Sequence, residues 1–336
     1  MNTNTTDNQT TNIIDKAHEL GLSKIGIIRA SAMDGYDEKV RERISRIPNG
    51  KAGYGFIRPL LETSPWAKSV IISATPLTHY NIPEGADKRI GKHYLVDFRI
   101  GENPESKFLR EFGAFLAGMY RVNDDVKGVR WAAQAAGLGI IRRNNFFYAE
   151  DGAYYSLKAW AIDAELDEHI HECNIAPCSE KCNLCIKACP TGSLFEPYTM
   201  SILTCISRLT ASITVPLPLD DPKNVQIGDW LYGCDACTDC CPHNKGKWHG
   251  GMDFPGLVEI VPFMNPLSIL KMSYKDIAAI LMPRFFYLQE PELWKWKVNA
   301  LNALANDWKP EYAEDVTAVL SDPNEQVREK AKWILN

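Results

Sequence analysis

The chain has 336 residues, which is enough for about two domains and a small appendage. Its formal net charge of −5 argues against a general, charge-driven nucleic-acid binder, although not against a local basic patch. The apolar share of 45% suits a large buried core, and no apolar run approaches the roughly 20 residues of a membrane span, so we expect a soluble, cytoplasmic protein.

The first third of the chain mixes helical and strand-like patterns. Residues 1–12 have neither a basic start nor an apolar stretch, so we expect a disordered tail and not a secretory signal. Apolar spacing then predicts a helix over 13–20 that Gly21 ends. The later pattern predicts strands over 24–30 and 67–77, helices over 105–119 and about 126–136, and strand-like stretches around 140–148 and 154–164. This mixture indicates an α+β domain over 13–170.

All ten cysteines lie between residues 173 and 241, which defines a second unit over 171–250. One run reads Cys178-x3-Cys182-x2-Cys185-x3-Cys189-Pro190, one residue longer than the bacterial ferredoxin run C-x2-C-x2-C-x3-C-P. A second run reads Cys234-x2-Cys237-x3-Cys241-Pro242, and Cys205 stands alone between the two. This spacing predicts two [4Fe–4S] clusters, each held by four thiolates.

In two-cluster ferredoxins the fourth cysteine of the run serves the other cluster. We therefore predict a crossed partition of the eight cysteines. The first group is Cys178, Cys182, Cys185 and Cys241, and the second is Cys189, Cys205, Cys234 and Cys237.

Several alternatives remain open at this stage. Cys-x2-Cys pairs also occur in structural zinc sites, so a pair of zinc knots would use the same residues. Cys173 and Cys240 are left over and are interpreted as free thiols, although Cys240 next to Cys241 could replace it as a ligand. His169 and His171 could ligate a metal or be ordinary surface histidines. No glycine-rich nucleotide motif of the G-x-G-x-x-G or Walker A type is present.

The last unit, 251–336, is predicted to be helical. Residues 298–308 and 313–335 are predicted to form a helical hairpin. The Asp322-Pro323-Asn324 turn and the apolar Val327, Ala331 and Ile334 after it resemble a HEAT-type repeat. A single repeat cannot form a solenoid, so this hairpin must pack on the rest of the protein.

Taken together, these residues resemble the epoxyqueuosine reductase family and, more distantly, the reductive dehalogenases. The resemblance lies in five stretches: Ala67-Lys68-Ser69-Val70-Ile71, Ala136-Gly137-Leu138-Gly139, Ala188-Cys189-Pro190-Thr191-Gly192, Cys205-Ile206-Ser207 and Leu231-Tyr232-Gly233-Cys234-Asp235-Ala236-Cys237. It implies a nitroreductase-like cobalamin-binding domain, a ferredoxin-like double-cluster module and a C-terminal HEAT-like hairpin. It also implies reduction of an epoxide on a modified tRNA base, with electrons from a low-potential donor of the ferredoxin or flavodoxin type.

The resemblance further implies a cobalamin site between the first domain and the cluster module. The wall positions carried over from the family are Arg58, Tyr94, Asp97, Arg143, Asn144 and Ser207. For each polar residue, an ordinary surface or capping role is the alternative.

This sequence departs from the family where substrate and corrinoid would meet. The family's proposed proton donor is an aspartate in an Asp-Thr/Ser-Ala-Pro stretch, and counting back from Gly139 places Asn123 there, with no proline following. Asp124 or Asp125 could replace that acid if the segment shifts, or both could simply begin the helix near Val126. Further differences occur over 139–144 and 152–159.

These departures lead to three hypotheses. The first is a corrinoid and iron–sulfur reductase acting on a substrate other than the family's, either a small molecule or a corrinoid. The second is an electron-transfer protein that reduces or activates another corrinoid protein, and the third is a regulatory protein with structural clusters. A tRNA partner is disfavoured, because residues 290–336 carry six Lys plus Arg against nine Asp plus Glu, where tRNA binding calls for a basic surface.

Overall fold

A computed structural model describes residues 3–54, 57–101, 103–212 and 216–336. The strands are β1 Ile25–Arg29, β2 Ser69–Pro76, β3 Val122–Asn123, β4 Ile140–Ile141, β5 Phe147–Tyr148, β6 Tyr155–Ile162, β7 Leu194–Glu196 and β8 Thr199–Met200. The helices of the first 170 residues are α1 Thr3–Glu19, α2 Asp34–Arg46, α3 Gly50–Tyr54, α4 Leu60–Thr63, α5 Lys92–Leu95, α6 Pro104–Ala117 and α7 Val129–Ala135.

Four strands form an antiparallel sheet in the order β1-β2-β6-β3. Successive side chains of a strand point to opposite faces, so β2 directs Ile71 to one side and Val70 and Ile72 to the other. Ile71 belongs to a core with residues of α1 and α6, whereas Val70 and Ile72 belong to a core with α7. Both faces of the sheet are therefore covered by helices, which explains why β2 is an uninterrupted apolar run.

The segment 1–12, for which disorder is predicted, is helical from Thr3 onward as part of α1. The prediction overlooks a contact made by this segment with a distant part of the chain. The Thr10 side chain is buried and accepts a hydrogen bond of 3.0 Å from the backbone N–H of Asp167. Ile13 and Ala17, one and two turns further on, are buried in the same core as the sheet. These contacts hold the polar start of α1 against the domain.

The cysteine-rich unit consists of short elements joined by turns. Its helices are α8 Leu184–Lys187, α9 Ile206–Ala211, α10 Lys223–Gln226 and α11 Ala236–Asp239, and β7 pairs with β8. Each cysteine run contributes one short helix, α8 or α11, and these two helices pack against each other. The packing brings the two runs together although about 50 residues separate them in the sequence.

The C-terminal region is helical, with α12 Leu257–Ile260, α13 Pro266–Lys271, α14 Tyr274–Ile280, α15 Trp294–Asn306, α16 Ala313–Ala318 and α17 Glu325–Leu335. It packs on the cysteine-rich unit: the rings of Tyr232 and Trp296 are stacked at 5.3 Å. The buried Asn299 amide donates hydrogen bonds to the carbonyl oxygens of Thr210 and Leu231. Among the described helices, none is both long and apolar enough to cross a bilayer.

Candidate iron–sulfur centre and adjoining cavity

The first predicted cysteine group comes together in the structure. Burial raises the pKa of the Cys185 thiol, and the neighbouring Cys178 and Cys182 thiols raise it further. Burial also raises the pKa of Cys240 to about 11, with Cys185 and Cys241 adding to the effect. The second run therefore brings Cys240 near Cys185 of the first group, with Cys241 beside it, while the crossed partition stays a prediction. Both Cys240 and Cys241 lie there, so either thiol remains a possible ligand.

The second group also forms one cluster of thiols. Burial, followed by the proximity of Cys205, Asp235 and Cys189, raises the pKa of Cys234 to about 12. The pKa of Cys237 is raised as well, first by burial and then by Cys234 and Cys205. Cysteines bind a metal cluster as thiolates, so binding releases their protons. The positive charge of the iron then offsets the repulsion among the four thiolates. The donor set thus fits a [4Fe–4S] cluster.

Backbone geometry positions the sulfur atoms of the second group. The N–H of Leu194 donates to Cys189 Sγ at 3.4 Å, and the N–H of Ala236 donates to Cys234 Sγ at 3.5 Å. Gly192 has a positive φ of 61°, a conformation that favours glycine and lets the chain turn just after Cys189-Pro190. In the described part of the chain, no three His, Cys, Asp or Glu side chains converge on a single-ion site.

A cavity of about 520 Å³ adjoins the second cysteine group. All four of its cysteines line this cavity, together with residues of the N-terminal domain. The apolar part of the lining is Val129, Phe146, Phe147, Leu157, Leu194, Met200 and Ile206. Mostly apolar walls with a few polar groups are typical of cofactor and small-molecule sites. A molecule held here would lie beside the second cluster.

Three of the six predicted wall residues line this cavity. The Tyr94 hydroxyl and Ser207 Oγ are hydrogen-bonded at 2.7 Å, although 113 residues separate them in the sequence. Asn144 is buried and donates from Nδ2 to the Tyr148 hydroxyl and to the Cys237 carbonyl oxygen, both at 2.9 Å. The polar wall and the cluster loop are therefore joined by hydrogen bonds.

The other three predicted wall residues lie outside the cavity lining. Arg58 is exposed and forms an ion pair of 3.5 Å with Glu62. Asp97 is buried and holds the guanidinium of Arg99, and it is Arg99 that reaches the cavity. Arg143 donates to Asn183 Oδ1 at 3.0 Å, beside the first cysteine group. Wall positions carried over from the family pattern thus lie outside the cavity when a nearer residue binds their side chain.

The aspartates predicted as proton donors are also outside this cavity. Asp124 is exposed and accepts from Lys158 Nζ at 3.1 Å, and Asp125 is exposed and pairs with Lys127. Asn123 ends β3 at the edge of the sheet. The helix predicted from Val126 begins only at Val129, after Gly128. Neither aspartate therefore caps it, and the catalytic role stays a prediction.

Sequence reasoning missed several polar residues of the cavity, among them His93, Asp235 and Arg130. Burial lowers the pKa of His93 to about 4, and its Nε2 lies 3.1 Å from the Ala153 carbonyl oxygen. Burial raises the pKa of Asp235 to about 6, although Lys92 opposes this rise. Arg130 hydrogen-bonds the carbonyl oxygen of Asn145. Only Asp235 carries a sequence signal, its position between Cys234 and Cys237; the other two stand in no motif.

The histidines considered as ligands have backbone partners. His171 Nε2 lies 2.7 Å from the carbonyl oxygen of Ile25, and the backbone of His169 pairs with that of Ile27. Both residues thus fasten the segment before the cysteines to the edge strand β1.

Two groups of thiols, the second of which lines a mainly apolar cavity, define a double-cluster iron–sulfur unit. The family model of a 4Fe-4S double cluster binding domain matches residues 178–244, which supports iron–sulfur clusters over zinc knots. Similarity extends beyond this segment. The epoxyqueuosine reductase of Bacillus subtilis is 27% identical, with 96% of this chain and 86% of the relative covered. That of Cellulophaga algicola is 26% identical, with 84% and 93% covered.

A solved structure has the same fold. It is an epoxyqueuosine reductase with a tRNA-Tyr epoxyqueuosine-modified stem loop, and it superposes with a TM-score of 0.76 at 24% identity, covering 98% of this chain and 89% of that one. The predicted resemblance to epoxyqueuosine reductases is confirmed, as is the mixed α and β architecture with its double-cluster unit. The relatives that match most of the chain are named epoxyqueuosine reductases, which are oxidoreductases.

Proposed function

We propose that the chain is a corrinoid-dependent reductase with two [4Fe–4S] clusters, acting on a substrate other than epoxyqueuosine tRNA. The observation that carries the proposal is the cavity, because all four cysteines of the second group line it. In this reading the first domain is the nitroreductase-like cobalamin domain, and the C-terminal region is the HEAT-like hairpin that supports the cluster unit from behind.

The cavity residues fit a large cofactor with an apolar ring face and polar groups around its edge. Bound cobalamin would supply a low-valent cobalt centre for reductive chemistry. Phe146, Phe147 and Leu157 provide apolar surface from the first domain. The Tyr94–Ser207 pair and the Asn144 amide provide polar contacts on the side of the cluster unit. These groups would bind and orient the cofactor and exclude water from it.

The segment 123–125, where the family pattern has its acid, supports a substrate other than epoxyqueuosine tRNA. Asn123 Nδ2 donates to Ser64 Oγ at 2.8 Å, and its Oδ1 accepts from the N–H of Asp125 at 2.9 Å. An amide cannot supply the proton that an aspartate supplies, and Asp124 is turned to Lys158 instead. The formal charge of −3 over residues 290–336 also works against a polyanionic tRNA.

Exposed side chains flank the first cysteine group, which suits electron entry. Leu184, between Cys182 and Cys185, is 48% exposed, and Lys181 and Lys187 are exposed beside it. An exposed Leu184 with a lysine on each side is complementary to an acidic surface of an electron donor. We propose that a low-potential donor of the ferredoxin or flavodoxin type docks here.

Cobalamin binding tests the corrinoid assignment. The chain is reconstituted anaerobically with iron and sulfide, its iron content is measured, and cobalamin is titrated while its visible absorption is recorded. We expect saturable binding that Leu157→Trp abolishes with iron retained, because the larger ring fills the cavity. Leu335→Trp, on an exposed side chain, is the matched control. Protein that holds both clusters but has no affinity for cobalamin would overturn the assignment.

The substrate is tested separately with epoxyqueuosine tRNA. With cobalamin bound and a strong reductant present, we expect no conversion to queuosine. Full conversion that disappears in Asp124→Asn or Asp125→Asn would show that an acid survives in a shifted position, and the claim of a different substrate would fail.

A further inference from the structure

Arg142 is a buried guanidinium beside the first cysteine group. It follows β4 in the hairpin to β5, where its backbone N–H donates to the Phe146 carbonyl oxygen at 3.0 Å. Only 2% of the residue is exposed. Its Nη1 donates to Cys178 Sγ at 3.6 Å and its Nη2 to the Ala176 carbonyl oxygen at 2.9 Å. The hairpin and these two contacts fix the cation against the cysteine.

The buried positive charge of Arg142 requires a negative charge nearby. Within the described residues, no carboxylate forms an ion pair with it, and its other close partners are neutral: the Ala176 carbonyl and the ring of Tyr148, 5.1 Å from the guanidinium carbon. A buried cation without a counter-charge is strongly unfavourable. A [4Fe–4S] cluster on four thiolates is negatively charged overall, and Cys178 belongs to its ligand group. The cluster itself therefore supplies the counter-charge.

We infer that Arg142 sets the reduction potential of the cluster held by the first cysteine group. One-electron reduction adds a negative charge to that cluster, and a fixed cation with an N–H···S hydrogen bond favours the reduced form. The inference rests on the two-cluster assignment and is independent of the corrinoid and of the substrate. Arg142 acts through Cys178 and is a positioning residue, not a catalytic one.

The same hairpin places a second polar side chain beside this cysteine group. Tyr148 on β5 is buried, and its hydroxyl lies beside the Cys241 thiol. The side chains near the second cysteine group include the acidic Asp235, which raises the pKa of Cys234, and the neutral Thr191 hydroxyl, 4.0 Å from Cys189 Sγ. The two clusters are therefore in different electrostatic surroundings, and Thr191 offers a matched control for Arg142.

The test is a redox titration of the reconstituted chain, poised with dithionite and mediators and read by electron paramagnetic resonance. In Arg142→Met we expect the ratio of reduced to oxidised first cluster at a fixed solution potential to fall about tenfold, which is about 59 mV for a one-electron couple. The second cluster should keep its midpoint. Thr191→Val should leave the midpoint potential of the first cluster unchanged, and any effect should be on the midpoint potential of the second cluster.

Conservative replacement separates charge from packing. Arg142→Lys keeps a cation and a donor, so it should recover at least half of the shift. If Arg142→Met holds fewer than two clusters by iron analysis, the test rests on Arg142→Lys alone. In that case the inference is supported when the midpoint potential of just one cluster is lower than in the wild type. Unchanged midpoints, equal shifts of both clusters, or a lysine variant no better than methionine would overturn it.

Discussion

The C-terminal helices depend on one buried ion pair. Lys297 Nζ and Asp322 Oδ2 are 2.8 Å apart, with only 8% and 2% of the side chains exposed. The second carboxylate oxygen of Asp322 accepts from the Tyr274 hydroxyl at 2.7 Å and from the backbone N–H of Asn324 at 2.9 Å. This carboxylate thus joins α14, α15 and the turn before α17.

Asp322→Asn removes the negative charge but preserves the shape of the side chain, so Lys297 remains buried without its counter-charge. Breaking a buried pair in this way costs about 3–5 kcal/mol. At roughly 2–4 °C per kcal/mol, the melting temperature should fall by roughly 6 °C or more. Asp315→Asn is the matched control, because its ion pair with Lys271 is partly exposed and contributes about 0–1 kcal/mol.

The assay is thermal unfolding of the reconstituted chain, followed by circular dichroism at several pH values. Burial alone would raise the pKa of Asp322, but hydrogen bonds from Lys297 and Tyr274 outweigh it and lower the pKa. A lowered pKa stabilises the fold above the unfolded value of about 3.9 and loses this effect as the pH falls through the folded value. The difference in melting temperature between the wild type and Asp322→Asn should therefore be largest at neutral pH and disappear in acid. Asp322→Asn melting no lower than Asp315→Asn would refute the reasoning.

Three further outcomes can be checked. Cys205→Ala should lose about half of the bound iron, whereas Cys173→Ala should leave it unchanged, as measured by iron analysis after reconstitution. Thr10→Val should destabilise the chain by about 1 kcal/mol, because the backbone N–H of Asp167 loses its acceptor; urea unfolding measures this. Lys187→Glu should slow cluster reduction by an acidic flavodoxin-type donor and leave reduction by dithionite unaffected, in stopped-flow absorption; equal slowing with both reductants would count against a docking role.

The double-cluster unit could be predicted from the sequence because the information for it is local. A cluster needs thiolates a few residues apart on tight turns, and the Cys-Pro endings mark where those turns stop. Apolar runs likewise predicted β1 and β2. The start of α1 could not be found in this way, since it depends on Thr10 meeting Asp167, 157 residues away. Local polarity indicated disorder, and a tertiary contact overrode it.

The cavity wall was less predictable because its residues are close only after folding. Tyr94 and Ser207 reach it from different units, and His93 stands in no motif. Asp97 was selected where its partner Arg99 makes the contact. The thiols are held by the short turns of the cluster unit, whereas the wall facing them comes from α7, β5, β6 and the loops between them in the first domain. Substitutions in this part of the first domain can therefore reshape the cavity without disturbing the thiols. The differences from the epoxyqueuosine reductase pattern over 139–144 and 152–159 fall in or beside the segments that supply Asn144, Phe146, Ala153 and Leu157 to the wall.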